Sequence, residues 1–288
     1  LFLGFALLDI LASIFIQNDV KFYRFFKNKI KVFSVFTFLI LSILPDDLIA
    51  NDFINYTYLA YVKSIDKNKN ESSFKGLQTL SKVLERRTSV LIKGVAGIDI
   101  EVDDVYHFPF IYWPMSNDFK NLSSKAKRKI KDYFNTGGVI LFDGYLLLDK
   151  QPLNTYKLKK IVSYFKEITS NELVLINKNH TLSKSFYLLN NFPGRWNKKI
   201  LLVDNSNMNV NDGVSNIILG FNDWASAWAL DSNNYPLFPV VPGGEKQREL
   251  AYRVGINIVM YSLTGNYKND QVHSKSILNR LKSGNQND

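Results

Sequence analysis

Residues 217–228, IILGFNDWASAW, constrain the fold more than any other stretch of the chain. The run IILGF is apolar, opens on two β-branched residues and is short, which suits a strand buried on both faces. It breaks at Asn222-Asp223, and Trp224 and Trp228 then recur at the spacing of one helix face. A buried strand that turns through polar residues into a helix is the repeating unit of a parallel α/β sheet. After Pro242-Gly243-Gly244, Leu250, Val254, Ile258 and Tyr261 fall at helical spacing, with Lys246, Arg248, Glu249 and Arg253 on other sides. Glu245 lies in the first turn, where the helix dipole favours an acid, and Gly265 is the expected stop.

The same alternation runs through the chain. The spacing predicts strands over 56–62, 88–91, 108–113, 139–142, 172–176 and 200–203, and helices over 74–86, 125–135 and 156–165. Together they predict one α/β domain over residues 55–270, a mostly parallel sheet with helices on both faces. A polar tail, 271–288, follows, with a short helix expected over 276–281.

The N-terminal region is of another kind. Residues 1–16 are apolar except for Asp9 and Ser13, as at the end of a transmembrane helix, and the chain reads as a fragment of a longer protein. Residues 17–31 form a basic loop with Lys21, Arg24, Lys27, Lys29 and Lys31. Residues 32–44 carry no charge and suit a second transmembrane or signal-like helix, and 45–54 a linker with Asp46, Asp47 and Asp52. Positive residues stay inside, so the basic loop is expected in the cytoplasm and the α/β domain on the periplasmic side of the inner membrane.

Composition removes several chemistries. There is no cysteine, hence no disulfide, thiolate metal site or cysteine nucleophile. There is no G-x-S-x-G elbow, and His107, His180 and His273 share no metal-ligand spacing. The formal charge of +10 comes from scattered lysines rather than a basic stripe, so no nucleic acid is expected as partner. Catalysis is therefore less expected than binding.

In a parallel sheet the strand carboxyl ends share one rim, where ligands bind. Asp66, Asp143, Asp204, Asn222 and Asp223 each follow an expected strand. Two readings stay open. Either they form an acidic rim for a polar ligand, with Asp143 and Asp223 as oxygen ligands of a divalent cation, or they build turns and cap helices. No other cofactor is expected. Trp224, with Trp113 and Trp228, either lines a groove or fills the core. Arg248 and Arg253, with Arg195, either fork onto an anionic group or make surface ion pairs.

LAYVKSID, FPFIYWP, TGGVILFD, SFYLLNNFPGR, NDGVSNIILGFNDWASAW, PGGEKQRELAYRVGINIVMYSLTGNYK and DQVH, spread over residues 59–273, together resemble the DUF4159 family. The resemblance implies a flavodoxin-like α/β fold of the class I glutamine-amidotransferase-like type, here without the catalytic cysteine. It also implies the C-terminal part of a long bacterial membrane protein whose N-terminal part resembles BatA and von Willebrand A modules. It carries no activity with it.

The expected function is thus a membrane-tethered, non-catalytic domain that binds a protein partner or ligand in the bacterial cell envelope. The alternative is a metal-dependent hydrolase or transferase acting through the acidic rim.

Overall fold

A computed structural model of the chain describes residues 57–116, 119, 122–148, 152–205 and 214–284, with side chains to residue 264. The chain divides into two units, Leu1–Asp52 and Phe53–Asp288, and the fold below belongs to the second. The apolar segments 1–16 and 32–44, the basic loop and the linker all lie outside the described residues. Among the described residues no helix is long and apolar enough to cross a membrane.

The elements in order are β1 (Tyr58–Val62), α1 (Lys67–Arg87), β2 (Gly94–Ile98), β3 (Phe110–Pro114), α2 (Ser124–Asn135), β4 (Val139–Asp143), α3 (Thr155–Phe165), β5 (Leu173–Leu175), β6 (Leu201–Asp204), β7 (Ile217–Gly220), α4 (Trp224–Trp228) and α5 (Gly244–Gly284). Short 3₁₀ turns occupy Gly144–Leu148 and Thr181–Lys184. The strands form one seven-stranded sheet in the order β2-β1-β3-β4-β7-β6-β5. The pairs from β2 through β7 are parallel, whereas β6 runs against both of its neighbours.

Alternating side chains feed two cores. Leu59, Phe110, Tyr112, Leu141 and Ile218 face α1, α4 and α5, and meet Leu77, Leu80, Trp224, Val254 and Ile258. Ala60, Ile111, Trp113, Phe142 and Leu219 face α2 and α3, and meet Ile130, Tyr133, Ile161 and Phe165. Both faces of the sheet are covered, which is why its central strands read as unbroken apolar runs.

Four expectations differ from the structure. Strand β2 lies at Gly94–Ile98, not at 88–91, because the Thr88 hydroxyl and N–H both donate to the Leu84 carbonyl and close α1 there. The glycines that hid β2 are needed, since a Cβ at Gly94 or Gly97 would meet the rings of Tyr58 or Tyr61. Helix α1 begins at Lys67 rather than 74, because Asp66 accepts the Asn68 N–H at 2.9 Å and starts a polar turn without apolar periodicity. Helix α5 does not stop at Gly265. One glycine with no proline after it costs a helix only about 1 kcal/mol, and α5 runs on to Gly284, through the separate helix expected at 276–281. Lastly, Asp204 is not on the carboxyl rim. Leu201 pairs with Gly220 and Val203 with Ile218, so β6 descends and Asp204 sits at the start of β7, accepting the Ile217 N–H at 2.8 Å.

The reversal of β6 follows from a contact with the turn after β7. The segment before it, Phe192 to Lys198, is clamped on the carboxyl rim by Asn222. The Asn222 amide donates to the carbonyls of Phe192 (2.8 Å) and Lys198 (3.1 Å), and its oxygen accepts the Lys198 N–H (2.6 Å). A strand that leaves the rim has only the downward direction open to it.

Candidate functional site

The carboxyl ends of β3, β4 and β7 converge on two acids. Asp143 ends β4 and is 2% exposed. Its Oδ2 accepts from the Tyr112 hydroxyl at 3.0 Å and from the Trp224 N–H at 2.9 Å, and its Oδ1 accepts from the Tyr145 N–H at 3.2 Å. Burial pushes its pKa up to about 7, the neighbouring Asp223 adds to the rise, and the three donors hold it back. Tyr112 is raised well above the usual tyrosine range, first by its own burial and then by Asp143.

Asp223 makes the turn from β7 into α4. Its backbone is left-handed, at φ 50° and ψ 57°, a conformation that residues other than glycine adopt rarely. It does not cap α4. Instead its Oδ1 accepts from the Ser226 hydroxyl at 2.8 Å and faces Lys69 Nζ at 3.6 Å, while Oδ2 faces Arg195 Nη1 at 3.4 Å. The carboxylate is 6% exposed, but the two cations keep 19% and 22% of their side chains in solvent. A buried acid thus gathers two partly exposed cations at the sheet edge.

Arg195 sits on a built loop. Gly194 lies so close to the turn after β7 that a Cβ there would stand 2.5 Å from the Asn222 carbonyl oxygen. The amide of Gln247, from α5, donates to the carbonyls of Gly194 (2.9 Å), Arg195 (3.3 Å) and Val241 (3.0 Å). The guanidinium carbon lies 5.3 Å from the Trp196 ring centre and 5.0 Å from that of Phe238, and Nε donates to the Pro239 carbonyl at 3.3 Å.

The other sequence candidates fall elsewhere. Asp66 is exposed and caps α1. Asn222 is fully buried and is the loop clamp. Trp224 and Trp228 are core residues, their indole N–H groups donating to the carbonyls of Pro193 and Ala251, and Trp113 packs on Phe119 and Phe142. None of the three tryptophans lines a groove. Arg248 is 4% exposed and donates to the carbonyls of Ala227 and Phe238, both at 2.7 Å, so it fastens α4 and the loop after it to α5. Arg253 pairs with Glu249 at 3.0 Å, beside Tyr187, and Glu249 also holds Arg87. Of the three arginines singled out from the sequence, Arg195 is the one on the rim. Among the described residues no group of three or more His, Asp or Glu gathers as cation ligands, and both Asp223 oxygens already face cations.

His180 and Ser215 meet at the opposite rim, 3.3 Å apart. His180 Nδ1 accepts the Leu182 N–H, so Nε2 carries the proton and donates to Ser215, whose hydroxyl donates to the Asp204 carbonyl at 2.8 Å. The imidazole cannot then take the serine proton, so this pair lacks the arrangement of an activated nucleophile. A shallow groove of about 330 Å³ also lies beside α2, with charges of both signs: Asp103, Asp104, Arg128 and Asp132.

Residues 58–263 match the family described as a domain of unknown function, DUF4159. The chain belongs to the DUF4159 family. The matched DUF4159 segment contains all seven strands and the whole Asp143–Asp223 rim. No curated protein matches the chain.

Lys69, Tyr112, Ser226 and Gln247 were not among the sequence candidates. Tyr112 had a signal, since it alternates with Phe110 in FPFIYW and shares its face. Lys69 had none, as it stands in a polar turn among other lysines and asparagines.

Proposed function

We propose that this DUF4159 domain is a non-catalytic binding module of the bacterial cell envelope. The apolar segments before it tether it to the inner membrane, with the domain on the periplasmic side, and a ligand or protein partner docks on the carboxyl rim around Asp223. The observation that carries the reading is the convergence of Lys69 and Arg195 on one buried carboxylate. Two cations on one acid leave positive charge at the place where parallel α/β sheets bind ligands. Asp143 supports the site from behind, with three donors fixing it.

A second reading is a hydrolase or transferase working through Asp143 and Asp223. What favours it is the Asp143 pKa, raised to about 7 beside a second carboxylate. What opposes the metal-dependent form is the pair of cations already facing Asp223.

The test is thermal melting of the protein against divalent cations, nucleotides, small carboxylates and cell-wall fragments. A ligand of the native state raises the midpoint by mass action. The reading expects a rise with an anionic compound that disappears in Asp223→Ala. A rise with a divalent cation instead moves the enzyme reading forward.

A further inference from the structure

The rim contains a buried, unmet donor. The indole N–H of Trp196 is shut off from solvent and has no hydrogen-bond partner among the described residues. Buried donors are paired in the great majority of cases, and an orphan carries a desolvation cost without return. Trp196 is not loosely placed. Its own N–H donates to the Asn222 carbonyl at 3.1 Å, and its ring stacks on Tyr145 with centres 5.6 Å apart at 19°.

The ring that carries this N–H lies against the rim cation. Arg195 stands over the Trp196 ring, with Phe238 also within 5.0 Å of its guanidinium carbon. Nε is engaged by Pro239 and Nη1 by Asp223, which leaves Nη2 without a partner among the described residues. A guanidinium held this way offers one free edge, in a fixed direction. One free N–H edge, one orphan indole N–H, and aromatic rings beside both are the parts of an acceptor site.

Resting on the binding-module reading, we propose that Arg195 and Trp196 form the recognition pair of the rim and that the group they take is a carboxylate. Arg195 Nη2 donates to one oxygen and Trp196 Nε1 to the other. The carboxylate is planar, as the guanidinium edge is, and carries two acceptor oxygens. Its unit charge suits the cluster of Lys69, Arg195 and Asp223, which holds one positive charge in excess. Because Nε1 is shut off from solvent in the free protein, binding includes a shift of the side chains around it, the ordinary extent of rearrangement at binding surfaces. Two sources supply such a group, the C-terminus of a peptide and a sugar acid.

The experiment measures binding of acetyl-Ala-Ala, its C-terminal amide, glucuronate and inorganic phosphate to the whole protein, by midpoint shift and by tryptophan fluorescence. The variants are Trp196→Phe and Arg195→Gln. The proposal expects acetyl-Ala-Ala or glucuronate, whichever is the source, to bind at millimolar concentration, with the amide and phosphate weaker. Trp196→Phe keeps the ring and loses the donor. It weakens carboxylate binding by about tenfold while leaving the free protein as stable as before or more so, because the unmet donor is gone. Arg195→Gln weakens binding by roughly a hundredfold. A merely structural tryptophan gives the opposite pattern, lower stability with unchanged affinity, and that result overturns the proposal. Equal binding of acid and amide, tighter binding of phosphate, or no binding of any probe also overturns it. If another compound raises the midpoint through Asp223 while both variants respond like the wild type, the binding module stands and this pair does not.

Discussion

The carboxylate of Asp143, at the end of β4, holds the backbone N–H of Trp224, the first residue of α4, at 2.9 Å. Eighty-one positions of chain separate them. This bond fixes the turn in which Asp223 takes its left-handed backbone, and thereby aims the Asp223 carboxylate at Lys69 and Arg195. The rim is a consequence of how two adjacent parallel strands end.

Asp143 makes stability depend on pH. Its folded pKa, about 7, lies above the ordinary aspartate value of about 3.9. The folded state therefore holds the proton more tightly than the unfolded chain. The contribution is full below about pH 4 and is lost as pH rises toward 7. Urea unfolding across pH should show wild-type stability falling over this window relative to Asp143→Asn, which keeps an acceptor for Trp224 and has no proton to lose. A constant difference between the two proteins contradicts the assignment.

Asp223→Asn separates charge from backbone. Asparagine tolerates the left-handed conformation, so the turn survives. The charge that helps raise Asp143 is removed, so the fall in stability shifts to lower pH. Ligand binding at the rim is lost together with the bridge between Lys69 and Arg195. Intact binding in Asp223→Asn places the site elsewhere.

Asn222→Ala should release the loop from Phe192 to Lys198. Three hydrogen bonds go, the buried Phe192 carbonyl and the half-buried Lys198 carbonyl and N–H lose their partner, and the cost is about 2–4 kcal/mol. Gly194→Ala strikes the same loop from the other side, since its Cβ would press on the Asn222 carbonyl oxygen, at about 1–3 kcal/mol. Denaturant midpoints measure both, and the two losses should not add, because the residues share one contact.

Arg248→Ala should cost about 3 kcal/mol, since two carbonyls and the helix that holds them lose their donor. Affinity at the rim should change far less than stability. A selective loss of binding at unchanged stability returns Arg248 to the list of ligand residues.

Much of this was legible in the sequence, and the gaps have physical causes. IILGF, VILF and FPFIYW announced the central strands because burial on both faces makes their pattern unbroken. The edge strand β2 was not legible, because its glycines serve the Tyr58 and Tyr61 rings rather than any strand preference. Asp143 and Asp223 were legible as strand-end acids. Asp204 looked the same but belongs to the opposite rim, because the reversal of β6 depends on the Asn222 clamp, a contact between distant segments. The cations divided in a similar way. Arg195, Arg248 and Arg253 are equivalent as letters, and only the path of the loop after Phe192 brings Arg195 to the acid. Lys69 comes to the rim because α1 packs against α4, which brings its capped first turn to Asp223, and no local pattern encodes that.

The most direct test of the central claim is hydrogen exchange of the whole protein with the carboxylate or cell-wall compound that most raises its melting midpoint. The account predicts protection of residues 192–198 and of the turn from Phe221 to Ser226, with little change around Asp103 and Arg128 beside α2. Protection at that groove, or none at the rim, contradicts it.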